Sequence, residues 1–465
     1  MAYYIRRSVL PARLVTRQVI FSQPQKFAIR NSNPVLFQSS LSRTYTNSTF
    51  PPPSPQEDST YSSYLNKFAK ATAKRLPAVI IGKLVVASVI GLISVDLLYA
   101  WFLNSRNEHL LNNTVEKGTR PIVEKENKLV PRPDIVKRLK IILQPDEDES
   151  SYYVVCGEHG TGKTTLTRMA SREVGQGVIY VEVPPDAEDI EQFGIAFGKS
   201  LNFAFEEHIS FTTQLMKKIL GDTNVKVDGH LKWKRAFEAF KHAGAVYKAK
   251  HNKLPVIVYD NINGLVNINP KVLETLQNDA KMCADRQEYI AVFVTSEGSI
   301  PRKMKSRSAW SRAEIPMEIG DLSKEESIKY LTEKRMINEI EAEKLYDLVG
   351  GRIVVLKKVA KRFKKGLKFE VIKKEILDEV EMKFKTAQLL RKQLHHEAGK
   401  KAIRALLDSK ELNFTTFMEF FDNYEEADRV LEANVFSYHP EKHTVTFQSQ
   451  SVESYIREKA DIFIK

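Results

Sequence analysis

Nine consecutive residues, Gly157-Glu158-His159-Gly160-Thr161-Gly162-Lys163-Thr164-Thr165, hold the densest chemistry in the sequence. Gly157, Gly160 and Gly162 allow positive φ, so the backbone can turn its N–H groups onto an anion at hydrogen-bond distance. Lys163 adds a point charge suited to phosphate oxygens, and Thr164 offers a hydroxyl to a hard divalent cation. Thr161 and Thr165 complete the set expected to line the ligand. The spelling is G-x-x-x-x-G-K-[ST], a phosphate-binding loop, and the cofactors it predicts are ATP, with GTP as the alternative, and Mg²⁺.

Such a loop works only between a strand that presents it and a helix whose N-terminal dipole faces the same anion. Both are expected here. The apolar run 152–156 leads straight into Gly157, and a helical pattern follows from about 161 to 173. A carboxylate must hold the cation from the other side. LPVIVYDN supplies it, because the strand 255–260 ends in Asp260, expected beside Thr164. Asn261 follows, where many ATPases place a glutamate that polarises the attacking water. Asn cannot accept a proton, so at best it orients that water. Glu297 is an alternative acid. Thr295 and Ser296, at the tip of the run 290–295, are candidates to face the γ-phosphate.

Runs near 152–156, 178–183, 255–260, 290–295 and 313–318 alternate with helical patterns. They predict an α/β fold of the P-loop NTPase type, with a parallel sheet in the order 5-1-4-3-2. Taken together these elements resemble the AAA+ class, and within it the STAND ATPases of the branch that includes archaeal ATPases. Three further stretches carry the resemblance: Pro131-Arg132-Pro133-Asp134 ahead of the loop, IGDLSKEESIKYL at 319–331, and LVGGRIVVLKKVAK at 348–361. It implies a helical lid whose Arg352 returns to the nucleotide. It also implies an arginine finger acting on a neighbouring subunit, for which Arg302, Arg307 and Arg312 are candidates. The catalytic set expected on these grounds is Lys163, Asp260, Asn261, Thr295 and Arg352. The chain departs from the family pattern at Gly351-Arg352-Ile353, where Gly-x-Pro is usual, and at Asn261.

Beyond the lid, Phe369, Ile372, Ile376, Val380 and Phe384 recur at helical spacing and predict a long amphipathic helix. Helices near 402–407, 415–424 and 427–433, then a hairpin turning at 440–442, resemble a winged helix. Its third helix carries Glu425, Glu426, Asp428 and Glu432 against Arg429, a poor surface for a nucleic acid. A structural or protein-contact role is expected instead, and nucleic acid is not expected as a partner.

The chain of 465 residues carries 71 Lys and Arg against 58 Asp and Glu, a net charge of +13. Residues 1–50 hold seven of those cations and no acid, leaving +6 for the remainder. With apolar residues between its arginines, this N-terminus resembles a mitochondrial presequence; a disordered basic arm is the alternative. Two cysteines, Cys156 and Cys283, exclude a disulfide framework. Residues 84–103, LVVASVIGLISVDLLYAWFL, form a helix of about 30 Å, the thickness of a bilayer core. Its twelve Leu, Ile, Val and Phe residues favour insertion by roughly 5 kcal/mol, against about 3 or less for Asp96. A buried soluble helix is the alternative. Lys67, Lys70, Lys74 and Arg75 precede the span while Arg106, Lys117 and Arg120 follow it, which leans weakly toward an ATPase domain in the intermembrane space.

The organisation expected is a presequence (1–45), a linker (46–77), a transmembrane helix (78–103) and a second linker (104–130). An ATPase core (131–320), a lid with a long helix (321–398) and a winged-helix-like domain (399–465) complete the chain. The function expected is ATP binding with slow hydrolysis in the mitochondrial inner membrane, coupled to remodelling or assembly of protein partners, a homo-oligomer among them. The alternatives are a nucleotide-dependent scaffold without turnover and an organellar nucleic-acid-binding ATPase.

Overall fold

A computed structural model describes residues 78–123, 129–184, 190–205, 232–296 and 298–464. The expected presequence, the linker 46–77 and Glu297 lie outside the described residues. The N-terminal unit Met1–Ile81 is described only by the opening turn of one helix, and every other described residue belongs to the unit Gly82–Lys465.

That helix, α1 (Ala78–Lys117), runs past the end expected at 103 and takes up much of the stretch expected as a linker at 104–130. Its first part is long and apolar enough to cross a membrane. Leu92, Val95, Leu98 and Trp101 are all more than 60% exposed, so no described residue packs over these side chains. Past Leu103 the same helix turns amphipathic. Leu111 and Val115, one turn apart, are buried in the hydrophobic core that also holds Tyr152 and Ile179. Asn107 Nδ2 donates to Ala204 O at 3.3 Å, and the Glu116 carboxylate lies 2.7 Å from His251 Nε2. Thr119 N then donates to Val178 O at 2.8 Å, so the chain stays attached beyond the helix end. A polar composition hides this docking in the sequence, because past Leu103 only Leu110, Leu111 and Val115 are apolar and Leu110 is exposed.

The sheet has five strands: β1 (Tyr153–Cys156), β2 (Val178–Glu182), β3 (Val256–Asp260), β4 (Ile290–Val294) and β5 (Met317–Glu318). Their order is β2-β3-β4-β1-β5, the expected 5-1-4-3-2 viewed from the opposite edge, and every pairing is parallel. VIVYD and IAVFV of β3 and β4 are buried throughout. Such continuous apolar runs suit strands covered by helices on both faces. On one face pack α2 (Pro133–Ile142) and α3 (Lys163–Val174), with Val136, Leu139, Leu166 and Ala170 against Val155, Val258 and Val292. The other face carries α4 (Ile190–Ser200), α5 (Lys232–His251) and α7 (Pro270–Asp285), after the short α6 (Asn263–Ile268). There Phe193, Phe197, Trp233 and Phe237 enclose Tyr259 and Phe293.

The helix α8 (Ser299–Lys305) follows β4, and the lid begins after β5. Ser323 and Glu326 form a reciprocal capping box that starts α9 (Lys324–Lys329). Then come α10 (Glu339–Val349), α11 (Ile353–Lys364) and α12 (Phe369–Thr386). A Cβ on Gly351 would lie 2.0 Å from Leu322 O, so the second glycine of the pair lets the start of α11 close onto the lid's entry.

The C-terminal part has winged-helix order. It runs through α13 (His396–Ser409), β6 (Leu412–Asn413), α14 (Phe414–Met418), α15 (Tyr424–Glu432), β7 (Phe436–His439) and β8 (Thr444–Phe447). β8 sits between β6 and β7 and turns back antiparallel near the predicted hairpin tip. Two helices that the sequence pattern does not predict, α16 (Gln450–Glu458) and α17 (Ala460–Phe463), close the chain. The boundary expected at 398 falls inside α13. Lid and winged helix share one hydrophobic core, from Leu322 through Ile376 and Phe417 to Phe463, and are one packed body.

Candidate nucleotide site

The phosphate loop leaves β1 with Gly157 at φ 138°, Gly160 at 86° and Gly162 at 96°. Only glycine takes these values without strain. A Cβ on Gly157 would also stand 2.4 Å from Ile319 O, so β5 can run beside the loop only because that side chain is absent. Lys163 opens α3 and is 3% exposed, with its ammonium donating to Glu158 O at 2.7 Å. Burial lowers its pKa to about 8, helped by Arg352 and opposed by Glu158. Thr161 Oγ1 donates to Glu158 O at 3.0 Å, and Thr165 is half-buried at the third position of α3.

Thr164 Oγ1 donates to Asp260 Oδ1 at 3.3 Å, which joins the helix after the loop to the tip of β3. A hydroxyl and a carboxylate at this spacing are hard oxygen donors that fit Mg²⁺. With Mg²⁺ bound, Thr164 and Asp260 would hold it, and it would neutralise charge on nucleotide phosphates. Asp260 is 2% exposed. Burial raises its pKa, while hydrogen bonds from Tyr180 and Thr164, the charge of Arg168 and the Asn261 N–H act against that.

Asn261 takes a left-handed backbone, φ 62°, and its Nδ2 donates to Val183 O at 3.1 Å. Its side chain therefore braces the edge of the sheet. Thr295 Oγ1, at the tip of β4, donates to Asn263 Oδ1 at 2.8 Å, and Ser296 N donates to the same oxygen at 3.3 Å. Arg352 is 5% exposed and joins three parts of the molecule. Its Nε meets Asp321 Oδ1 of the lid at 2.5 Å, Nη1 donates to His159 O of the loop at 3.2 Å, and Nη2 donates to Gln448 O at 2.7 Å.

The winged helix reaches the loop directly. Ser437 Oγ on β7 donates to one oxygen of Glu158, and Gln448 Nε2 donates to the other at 3.2 Å. His439 Nδ1 bonds the Glu318 carboxylate of β5 at 2.5 Å. A cavity of about 360 Å³ lies among loop, lid and wing, bordered by Thr161, Asp321, Arg352 and Gln448.

The three arginines expected as finger candidates are placed differently from one another. Arg302 is turned into its own winged helix, paired with Asp428, and lies 5.4–5.8 Å from the ring centres of Tyr424, Phe414 and Tyr438. Its charge is therefore partnered within the chain. Arg312 pairs with Asp285 at 2.5 Å, and Arg307 is half-buried.

Sequence reasoning missed Tyr180, Arg168, Asn263, Glu158 and Asp321. Each depends on strand register or on a contact between distant segments, and the one local signal was the acid within the loop itself.

No curated protein matches the chain in sequence. Among solved structures, the chain is similar to the Walker-type ATPase of Pyrococcus abyssi, at 12% identity over 72% of this chain and 98% of that one, with a TM-score of 0.46. The Aeropyrum pernix ORC2 protein, in its ADPNP-ADP complexes, gives 12% identity over 75% and 98% with a TM-score of 0.40. The Thermotoga maritima RuvB Holliday junction branch migration motor gives 14% over 73% and 98% with a TM-score of 0.30. Over residues 132–359 the sequence matches the family described as an ATPase domain predominantly from Archaea, and that segment carries the phosphate loop and five-stranded parallel sheet of the P-loop ATPase fold.

Proposed function

We propose that the protein is a membrane-anchored ATPase that binds Mg-ATP and couples binding and slow hydrolysis to rearrangement or assembly of membrane-associated partners. The observation that carries this reading is the continuity of α1, which is apolar and uncovered through its first half and docked into the ATPase core through Leu111 and Val115 in its second. Any nucleotide-driven movement of that core is passed to the apolar segment without an intervening linker. The acid-free, Arg-rich residues 1–50 support the mitochondrial inner membrane as its location. Protein partners, including further copies of this chain, fit the reading better than nucleic acid, because α15 is acidic and Arg302 is already paired with Asp428.

A second reading, a nucleotide-dependent scaffold without turnover, is favoured by Asn261, which has no proton-accepting group and donates to Val183 O. Phosphate release by the full chain, beside a Lys163→Ala control, decides between the two. Release above the control supports the ATPase. Release equal to the control, with nucleotide still bound by the unaltered protein, leaves the scaffold. Resistance of the full chain to alkaline extraction from mitochondria tests the anchor, and recovery in the soluble fraction would remove it.

A further inference from the structure

The residues packed on Asp260 include one with no counterpart in the motif. Tyr180 of β2 pairs in register with Val258, two residues before Asp260, so the two side chains leave the same face of the sheet. Both are almost fully buried, at 4% and 2% exposed. The Tyr180 hydroxyl bonds Asp260 Oδ2, and Arg168 Nε donates to that same hydroxyl oxygen at 3.2 Å. A guanidinium can only donate. It therefore occupies a lone pair of the tyrosine, and the single hydroxyl proton must point to the carboxylate.

The other carboxylate oxygen, Oδ1, receives Thr164 Oγ1 at 3.3 Å and Asn261 N at 2.9 Å. Thr164 and Arg168 are four residues apart on α3 and share one helix face. Arg168 is itself held by Glu182 at 2.5 Å, two residues beyond Tyr180 on β2. One helix thus supplies the hydroxyl expected on the cation and, a turn later, the cation that orients the tyrosine.

We propose that Tyr180, aimed by Arg168, is a positioning residue for the metal site: it holds Asp260 in the rotamer that turns Oδ1 toward Thr164 and Mg²⁺. This assignment rests on the reading of the site as one for Mg-nucleotide. Its consequence is a division of labour within one carboxylate, Oδ2 fixed by protein and Oδ1 directed at the cation. Phenylalanine removes the hydroxyl while keeping the buried ring, so Tyr180→Phe isolates the effect.

The test is binding of a fluorescent ATP analogue by the full chain in detergent micelles, titrated with MgCl₂ and repeated in EDTA, with melting temperatures recorded. For Tyr180→Phe the half-saturating Mg²⁺ concentration is expected to rise about tenfold, the size of one hydrogen bond to a charged group. Metal-free nucleotide affinity stays unchanged. Arg168→Met, which leaves the hydroxyl in place but unaimed, shifts the Mg²⁺ requirement in the same direction by a smaller factor. An unchanged Mg²⁺ requirement in Tyr180→Phe overturns the assignment. So does a loss of metal-free affinity and melting temperature in step with it, since that is the signature of packing alone. If the unaltered, folded protein retains no nucleotide at any Mg²⁺ concentration, the nucleotide reading itself fails, a result distinct from either.

Discussion

Arg302, on the helix after β4, is ion-paired with Asp428 on α15, so the ATPase core and the winged helix are joined by a charge that is only 14% exposed on its arginine side. Three aromatic rings surround the guanidinium and add cation–π attraction. Arg302→Met leaves Asp428 without its cation and is expected to cost about 2 kcal/mol. Once Arg302 is gone, Asp428→Asn should cost little more, because the two act as one unit. Thermal melts of the two single variants and the double variant check this, and fully additive losses would contradict the pairing.

His439 gives the contact between wing and ATPase core a pH dependence. Burial works against its charged form, but the hydrogen bond and charge of Glu318, with Glu158 and Glu411 beyond, outweigh it and hold the pKa above the ordinary 6.5. A raised folded-state pKa contributes stability that is fully present below the unfolded value and is lost as pH rises through the folded one. The protein should therefore lose stability on going from pH 6 upward through that range. His439→Gln should flatten this part of the profile, and melting curves across the range, with and without the substitution, measure it. A variant profile as steep as that of the unaltered protein would assign the effect elsewhere.

Asn261 is not a glutamate waiting to be restored. A left-handed φ of 62° suits Asn better than Glu, and the side-chain bond to Val183 O would be lost. Asn261→Glu is expected to destabilise the fold by about 1–2 kcal/mol and to leave ATP hydrolysis no faster. Turnover and melting temperature, measured on the same preparation, report both. A marked gain in turnover would show that position 261 can host a working base.

The insertion balance of α1 is narrow enough to reverse. Leu92 and Val95 are exposed apolar residues within the uncovered stretch, and an arginine at each adds about 3 kcal/mol, together more than the roughly 5 that favour insertion. The doubly substituted protein is expected in the soluble fraction after alkaline extraction, while its nucleotide affinity is kept. Retention in the membrane would mean that something other than this helix holds it there.

The phosphate loop, the five strands and their order are legible in the sequence because their signals are local: a glycine spacing, apolar runs of four or five residues, an alternation with helices. The hydrogen bond from Ser437 to Glu158 joins residues 279 positions apart, and no local pattern announces it. Tyr180 reads as one more apolar residue of β2 until strand pairing sets it beneath Asp260. Arg302 looks like part of a solvated basic loop until α15 and its aromatic neighbours enclose it. Docking of α1 is hidden for a different reason. Leu111 and Val115 are two apolar residues in a polar stretch, and their partners come from elsewhere in the chain.

Between Leu92 and Lys117, α1 contains neither glycine nor proline. Such a helix bends little and has no built-in hinge. From Leu92 to Glu116 it measures about 36 Å, so a rotation of the core by about 10° would carry its far end sideways by about 6 Å. A flexible tether would dissipate that motion, whereas a helix without a hinge would pass it on as a lever with its fulcrum at Val115. Were the apolar part to lie in a bilayer, as proposed, the output would be tilt, felt by a neighbouring transmembrane segment as a change of crossing angle.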